Sequence, residues 1–139
     1  SDREHKTEIG CIPDAVLDAW ALVNYSRFKM KAAVQEKGTA ARYHVGVIAQ
    51  EIRDAFDSVG LDATQYGILC HEEWDAVEPV EFQPAVYDEA TGELTSKEIP
   101  ESLGVEAGEI WMVRMEECLA LEAALMRREL SKIKSSLFS

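Results

Sequence analysis

Apolar residues recur at intervals of four and three along the last part of the chain: Leu119, Ala123, Met126, Leu130, Ile133 and Leu137, flanked by Arg127, Arg128, Glu129, Lys132 and Lys134. This unbroken a/d seam of nearly three heptads predicts a helix over residues 112–137. Such a seam serves either contact with identical partners or an amphipathic helix lying on its own core, and its mixed leucine and isoleucine do not separate two strands from three. Nearer the N-terminus, Val16, Ala19, Trp20 and Val23 follow helical spacing behind Ile12-Pro13-Asp14, where proline sits in the first turn and an acid near the positive end of the dipole. Ile48, Ile52, Ala55, Phe56 and Val59 form a third stripe, with Gly60 placed as its C-terminal cap.

Elsewhere the period shortens. Asn24 to Val34 is ambiguous, but Tyr25 and Phe28, the turn-like Glu36-Lys37-Gly38-Thr39 and the following Tyr43-His44-Val45-Gly46-Val47-Ile48 predict a two-stranded hairpin. Val80, Phe82 and Val86 share one parity, residues Tyr87 to Leu94 carry turn chemistry, and Leu94 to Ile99 supplies a returning strand. Pro79, Pro84 and Pro100 cannot donate to a ladder, which confines this second hairpin to an edge or to interrupted pairing. The expected fold is α+β: a mainly helical body with short β-hairpins, a projecting acidic β-hairpin arm and a C-terminal coiled-coil helix.

With 139 residues, 47% of them hydrophobic, the chain is long enough for one core and too short for two, so residues 1–139 are read as one domain. It has no run of eighteen apolar residues and no secretory signal at its polar N-terminus, and the expectation is a soluble protein made in a cytoplasm, with no membrane partner. Cys11, Cys70 and Cys118 are odd in number and widely spaced, which argues for small buried apolar roles over a disulfide framework. The net charge of −12 is concentrated: residues 72–109 hold twelve acidic side chains against the single Lys97. That excess repels a phosphate backbone and argues against nucleic acid as a partner. The segment is either a solvated excursion kept soluble by its charge or an arm that contacts a client.

Two residues at the start carry candidate chemistry. A serine becomes nucleophilic when a nearby base takes its proton, and a lysine serves as that base when burial or neighbouring cations lower its pKa. Ser1 and Lys6 are candidates for such a pair. Cys70-His71 with Cys11, Cys118, His5 and His44 lacks any Cys-x-x-Cys or His-x-x-x-His spacing, so no metal and no cofactor are predicted. Asp54 and Asp57 read as the solvated edge of the helix after Gly46.

Ser1-Asp2-Arg3-Glu4-His5-Lys6, Asp14-Ala15-Val16-Leu17-Asp18-Ala19-Trp20, Tyr43-His44-Val45-Gly46-Val47-Ile48-Ala49-Gln50-Glu51 and Tyr66-Gly67-Ile68-Leu69-Cys70 together resemble the C-terminal intramolecular chaperone domain of phage tailspikes, tail fibres and endosialidases, the S74 self-cleaving peptidase family. The resemblance runs from Ser1 to about Lys134, and the Gly-Val-Ile-Ala-Gln-Glu block is its most specific part. It implies a serine–lysine dyad at Ser1 and Lys6, a helper histidine at His44 and an arginine at Arg114. It implies a homotrimer joined through the last helix, an upstream fibre or tailspike polypeptide as client, and assembly in the host cytoplasm ending in self-release at Ser1. The alternative is a non-enzymatic trimerisation or host-attachment module of a fibre.

Overall fold

The carbonyl of Pro13 accepts from the amides of Val16 and Leu17 at 3.0 and 3.3 Å and so opens α1, Asp14–Trp20. Proline suits this boundary because its fixed φ, here −60°, is ready for the turn and its missing N–H has no intrahelical partner to lose. The computed structural model describes residues 1–138, which divide into two compact units: Ser1–Cys70 with the C-terminal segment from Trp111, and His71–Ile110.

In the first unit, α1 packs on α3 (Ala49–Ser58) and on α4 (Met115–Phe138). The stripes read from the sequence face inward: Val16, Ala19, Trp20 and Val23 from α1 and its end, and Ile52, Ala55 and Phe56 from α3, are buried with Ile68, Leu69 and Cys118. Ile48 and Val59, at the ends of the α3 stripe, remain exposed. After α3 the backbone turns at Gly60, whose φ of +77° favours a residue without Cβ, while the Leu61 amide donates to the Phe56 carbonyl at 2.9 Å.

The expected hairpin around residues 24–48 is corrected in its connection. Strands β1 (Ser26–Phe28) and β2 (His44–Gly46) pair antiparallel, with Arg27 opposite Val45 and Phe28 opposite His44. Between them, however, lies helix α2, Lys31–Lys37, followed by a 3-10 turn at Gly38–Ala40. Lys, Ala, Gln and Glu make Lys31–Lys37 a run of good helix formers, which a β reading centred on Tyr25 and Phe28 overlooked.

In α4 two apolar stripes coexist. Cys118 is buried and Leu121 and Leu125 pack against the core. The heptad seam points elsewhere: Leu119, Met126, Leu130, Ile133 and Leu137 are between 55% and 72% exposed. The helix starts later than the sequence suggested, because Met112 and Val113 belong to a strand, β6 (Gly108–Val113), that pairs with β3 (Leu69–Trp74).

Beyond the β3–β6 pair, regular pairing within His71–Ile110 is between β4 (Val86–Tyr87) and β5 (Leu94–Ser96), with a bulge between Val86 and Tyr87. Isolated antiparallel bridges continue it at Gln83–Ile99, Val80–Ser102 and Val77–Val105, each with reciprocal backbone hydrogen bonds of 2.8–2.9 Å. The spacing is three residues on each side, so the alternation of two read from Val80, Phe82 and Val86 is corrected here. Pro79, Pro84 and Pro100 fall between the bridged positions, where no ladder donor is required. Gly104 permits the close approach, since a Cβ there would lie 2.6 Å from the Val77 carbonyl oxygen and 2.9 Å from Pro79.

Candidate functional site

Ser1 and Lys6 flank one 3-10 turn, Arg3–His5. Asp2 caps it, its carboxylate accepting from the Glu4 amide at 2.9 Å, and the Lys6 amide donates to the Arg3 carbonyl at 3.0 Å. The sequence dictates this locally, because aspartate ahead of a short turn offers its side chain to an otherwise unpaired N–H. His5 adds an exposed contact to Asp2 at 3.9 Å. Every residue from Ser1 to Pro13 is exposed.

His44 lies on β2, where strand pairing sets its ring against Phe28 with centroids 6.0 Å apart and planes inclined by 24°. Its predecessor Tyr43 is clasped by two cations, with the Arg27 guanidinium 4.4 Å and the Lys29 ammonium 4.7 Å from the ring centroid. The exposed His44 therefore differs from the core histidine that apolar neighbours alone suggest. Arg114 occupies the joint between β6 and α4. Its amide donates to the Ile68 carbonyl at 3.0 Å, and its own carbonyl accepts from the amides of Glu117 and Cys118 at 3.1 Å, which fixes the backbone while the side chain stays exposed. Among the described residues, no hydrogen bond or ion pair joins any two of Ser1, Lys6, His44 and Arg114.

Two constellations escaped the sequence reading. Arg128 on α4 reaches Asp18 at 2.8 Å, Asp14 at 3.3 Å and Glu129 at 3.0 Å, tying α4 to the first turns of α1. In the second unit, His71 Nε2 lies 2.8 Å from Glu109 Oε2 and 3.6 Å from Glu73 Oε1. The alternation along β3 places His71 and Glu73 on one face and was legible, but Glu109 joins them only through strand pairing. Burial raises the Cys118 thiol above its ordinary value. Tyr25 is raised as well, first by burial and then by the neighbouring Glu122.

The model of the family described as the chaperone of endosialidase, the S74 peptidases, matches residues 1–61. A tail spike protein of Escherichia virus K5 is 41% identical over 138 residues, which is 99% of this chain and 20% of that protein. The chain thus spans about a fifth of the length of that relative. A crystal structure of an intramolecular chaperone is 46% identical, aligns over 95% of this chain and 99% of its own with a TM-score of 0.73. The C-terminal domain of the bacteriophage T5 L-shaped tail fibre with its intramolecular chaperone domain shares the fold at 23% identity, with a TM-score of 0.64 over 100% of this chain and 31% of that one. Near-complete coverage of an intramolecular chaperone at this identity, with the family match over residues 1–61, means that this chain belongs to the S74 family, the chaperones of endosialidase.

Proposed function

We propose that residues 1–139 form an intramolecular chaperone and autoprocessing domain that trimerises, promotes assembly of an upstream phage tail fibre or tailspike in the host cytoplasm, and then releases itself by cleavage at Ser1. The observation that carries the assembly half is the second stripe of α4. Cys118, Leu121 and Leu125 already serve the core, so the exposed Leu119, Met126, Leu130, Ile133 and Leu137 have no intrachain task and suit a seam between identical chains. Three tethered chains find one another at high effective concentration, which offsets the loop-closure entropy that makes non-local β-structure slow to form. Residues 72–109 act as the acidic arm that meets the client, and residues 112–137 carry the trimer contact.

For release, the Ser1 hydroxyl attacks the carbonyl carbon of the residue before it and gives its proton to Lys6. Lys6 passes that proton to the Ser1 nitrogen as the C–N bond breaks, so the nitrogen leaves as the new amino terminus, and water then hydrolyses the resulting ester to free the upstream carboxylate and regenerate the Ser1 hydroxyl. His44 and Arg114 orient the reacting groups or stabilise the oxyanion. Membership of a peptidase family, and the single short turn at Arg3–His5 that separates Ser1 from Lys6, support this reading. Intact-mass measurement of a precursor carrying a few tens of upstream residues tests it. The wild type splits at the Ser1 junction, while Ser1→Ala and Lys6→Ala each remain whole. Complete cleavage in Ser1→Ala removes the mechanism, and a wild-type precursor that stays whole leaves the non-enzymatic trimerisation module.

A further inference from the structure

We infer that His71, Glu73 and Glu109 form a divalent transition-metal site, with zinc as the ion best suited to it, that clips β3 to β6. The three side chains offer one imidazole nitrogen and two carboxylate oxygens, all within 4.8 Å of one another. A tetrahedral ion with ligands at about 2.0–2.1 Å sets its donor atoms roughly 3.3 Å apart. The distances of 2.8 Å from His71 Nε2 to Glu109 and 3.6 Å to Glu73 bracket that value, so small side-chain rotations suffice. An imidazole among the donors selects against calcium and magnesium, which prefer oxygen alone, and favours zinc. Two carboxylates balance the charge of the ion, and the acidic excess of residues 72–109 raises its local concentration. Water completes the fourth position.

The clip has a structural consequence. His71 and Glu109 are 38 residues apart, and beyond the end of the β3–β6 pair the segment between them is held by isolated bridges and one short ladder. Two-stranded ribbons are marginal in water, and holding the ends of such a long loop together removes much of its opening freedom. Metal therefore stiffens the acidic ribbon at its root. Binding exchanges the His71–Glu109 side-chain contact for bonds to the ion and leaves the strands in register.

Titrating the chelator-stripped chain with zinc chloride in a calorimeter tests the site. One equivalent per chain is expected, with Glu73→Gln and His71→Ala each weakening the affinity by at least about 10- to 100-fold, since losing a direct ligand costs no less than losing a group that supports one. His5→Ala and His44→Ala leave it unchanged. The Glu73 side chain is exposed and Gln keeps its size, so Glu73→Gln isolates ligation from folding even if His71→Ala disturbs the strand pair. Absence of saturable one-to-one binding up to millimolar zinc, or full binding in Glu73→Gln, overturns the site. The test does not depend on autoproteolysis or trimerisation.

Discussion

The indole Nε1 of Trp20 donates to Glu122 Oε2 across 2.7 Å, joining α1 to α4 over 102 positions of sequence. Trp20 is 1% exposed, so its N–H has no recourse to bulk water. Glu122 supplies the one polar partner that lets so large an aromatic sit in the core.

That pairing sets the first prediction. Glu122→Ala leaves the indole N–H unpaired and lowers folding stability by about 1–3 kcal/mol, whereas Glu122→Gln keeps an acceptor and costs much less. Urea unfolding followed by tryptophan fluorescence measures both. Equal loss in the two variants would show that charge, and not hydrogen bonding, holds the pair.

The seam of α4 gives the second. Leu130→Asp with Ile133→Asp places two carboxylates per chain in the proposed interface, where buried unpaired charge is costly. Both positions are exposed in the single chain, so its own melting should hardly change. Light scattering is expected to give three chain masses for the wild type and a lower value for the double variant, and a monomeric wild type refutes the trimer.

The ribbon supplies a pair of opposed outcomes. Replacing Val86 to Lys97 with Gly-Gly removes an exposed tip and is expected to leave the melting temperature nearly unchanged, while lowering the yield of a fused fibre client. Gly104→Ala acts the other way. A Cβ would meet backbone of Val77, and the strands must part at a cost of about 1–3 kcal/mol to the local pairing. Faster amide exchange at Val77, Ser102 and Val105 reports this, and unchanged exchange would show that the ribbon yields freely.

Stability is also expected to fall in alkali. Cys118 is raised above the ordinary thiol value of 9.0 by burial, and Tyr25 above 10.0 by burial and then Glu122. Both groups hold their protons more tightly when folded, so the stabilisation is complete below the unfolded values and is lost as pH climbs through the folded ones. Melting temperature should decline from about pH 9 upward, and Tyr25→Phe with Cys118→Ala should flatten the decline. An equally steep decline in the double variant would assign it elsewhere.

The sequence by itself determined the elements whose pattern is local. Helical stripes in α1 and α3, the helix carrying the heptad seam and the confinement of charge to residues 72–109 all follow from spacing and composition, because amphipathic period and burial are two views of one constraint. The motifs at Ser1–Lys6, Asp14–Trp20, Tyr43–Glu51 and Tyr66–Cys70 together also pointed to the family. Helix α2 was missed because aromatic neighbours outweighed a short run of helix formers, a balance that flanking contacts settle. Only the tertiary structure decided which stripe of α4 meets the core, since either is apolar enough and the choice depends on what Trp20 and Ile68 leave open. The same holds for the three-residue bridging of the acidic ribbon and for the meeting of His71 with Glu109. Strand register couples residues far apart in the chain, and no local propensity encodes which of them face each other.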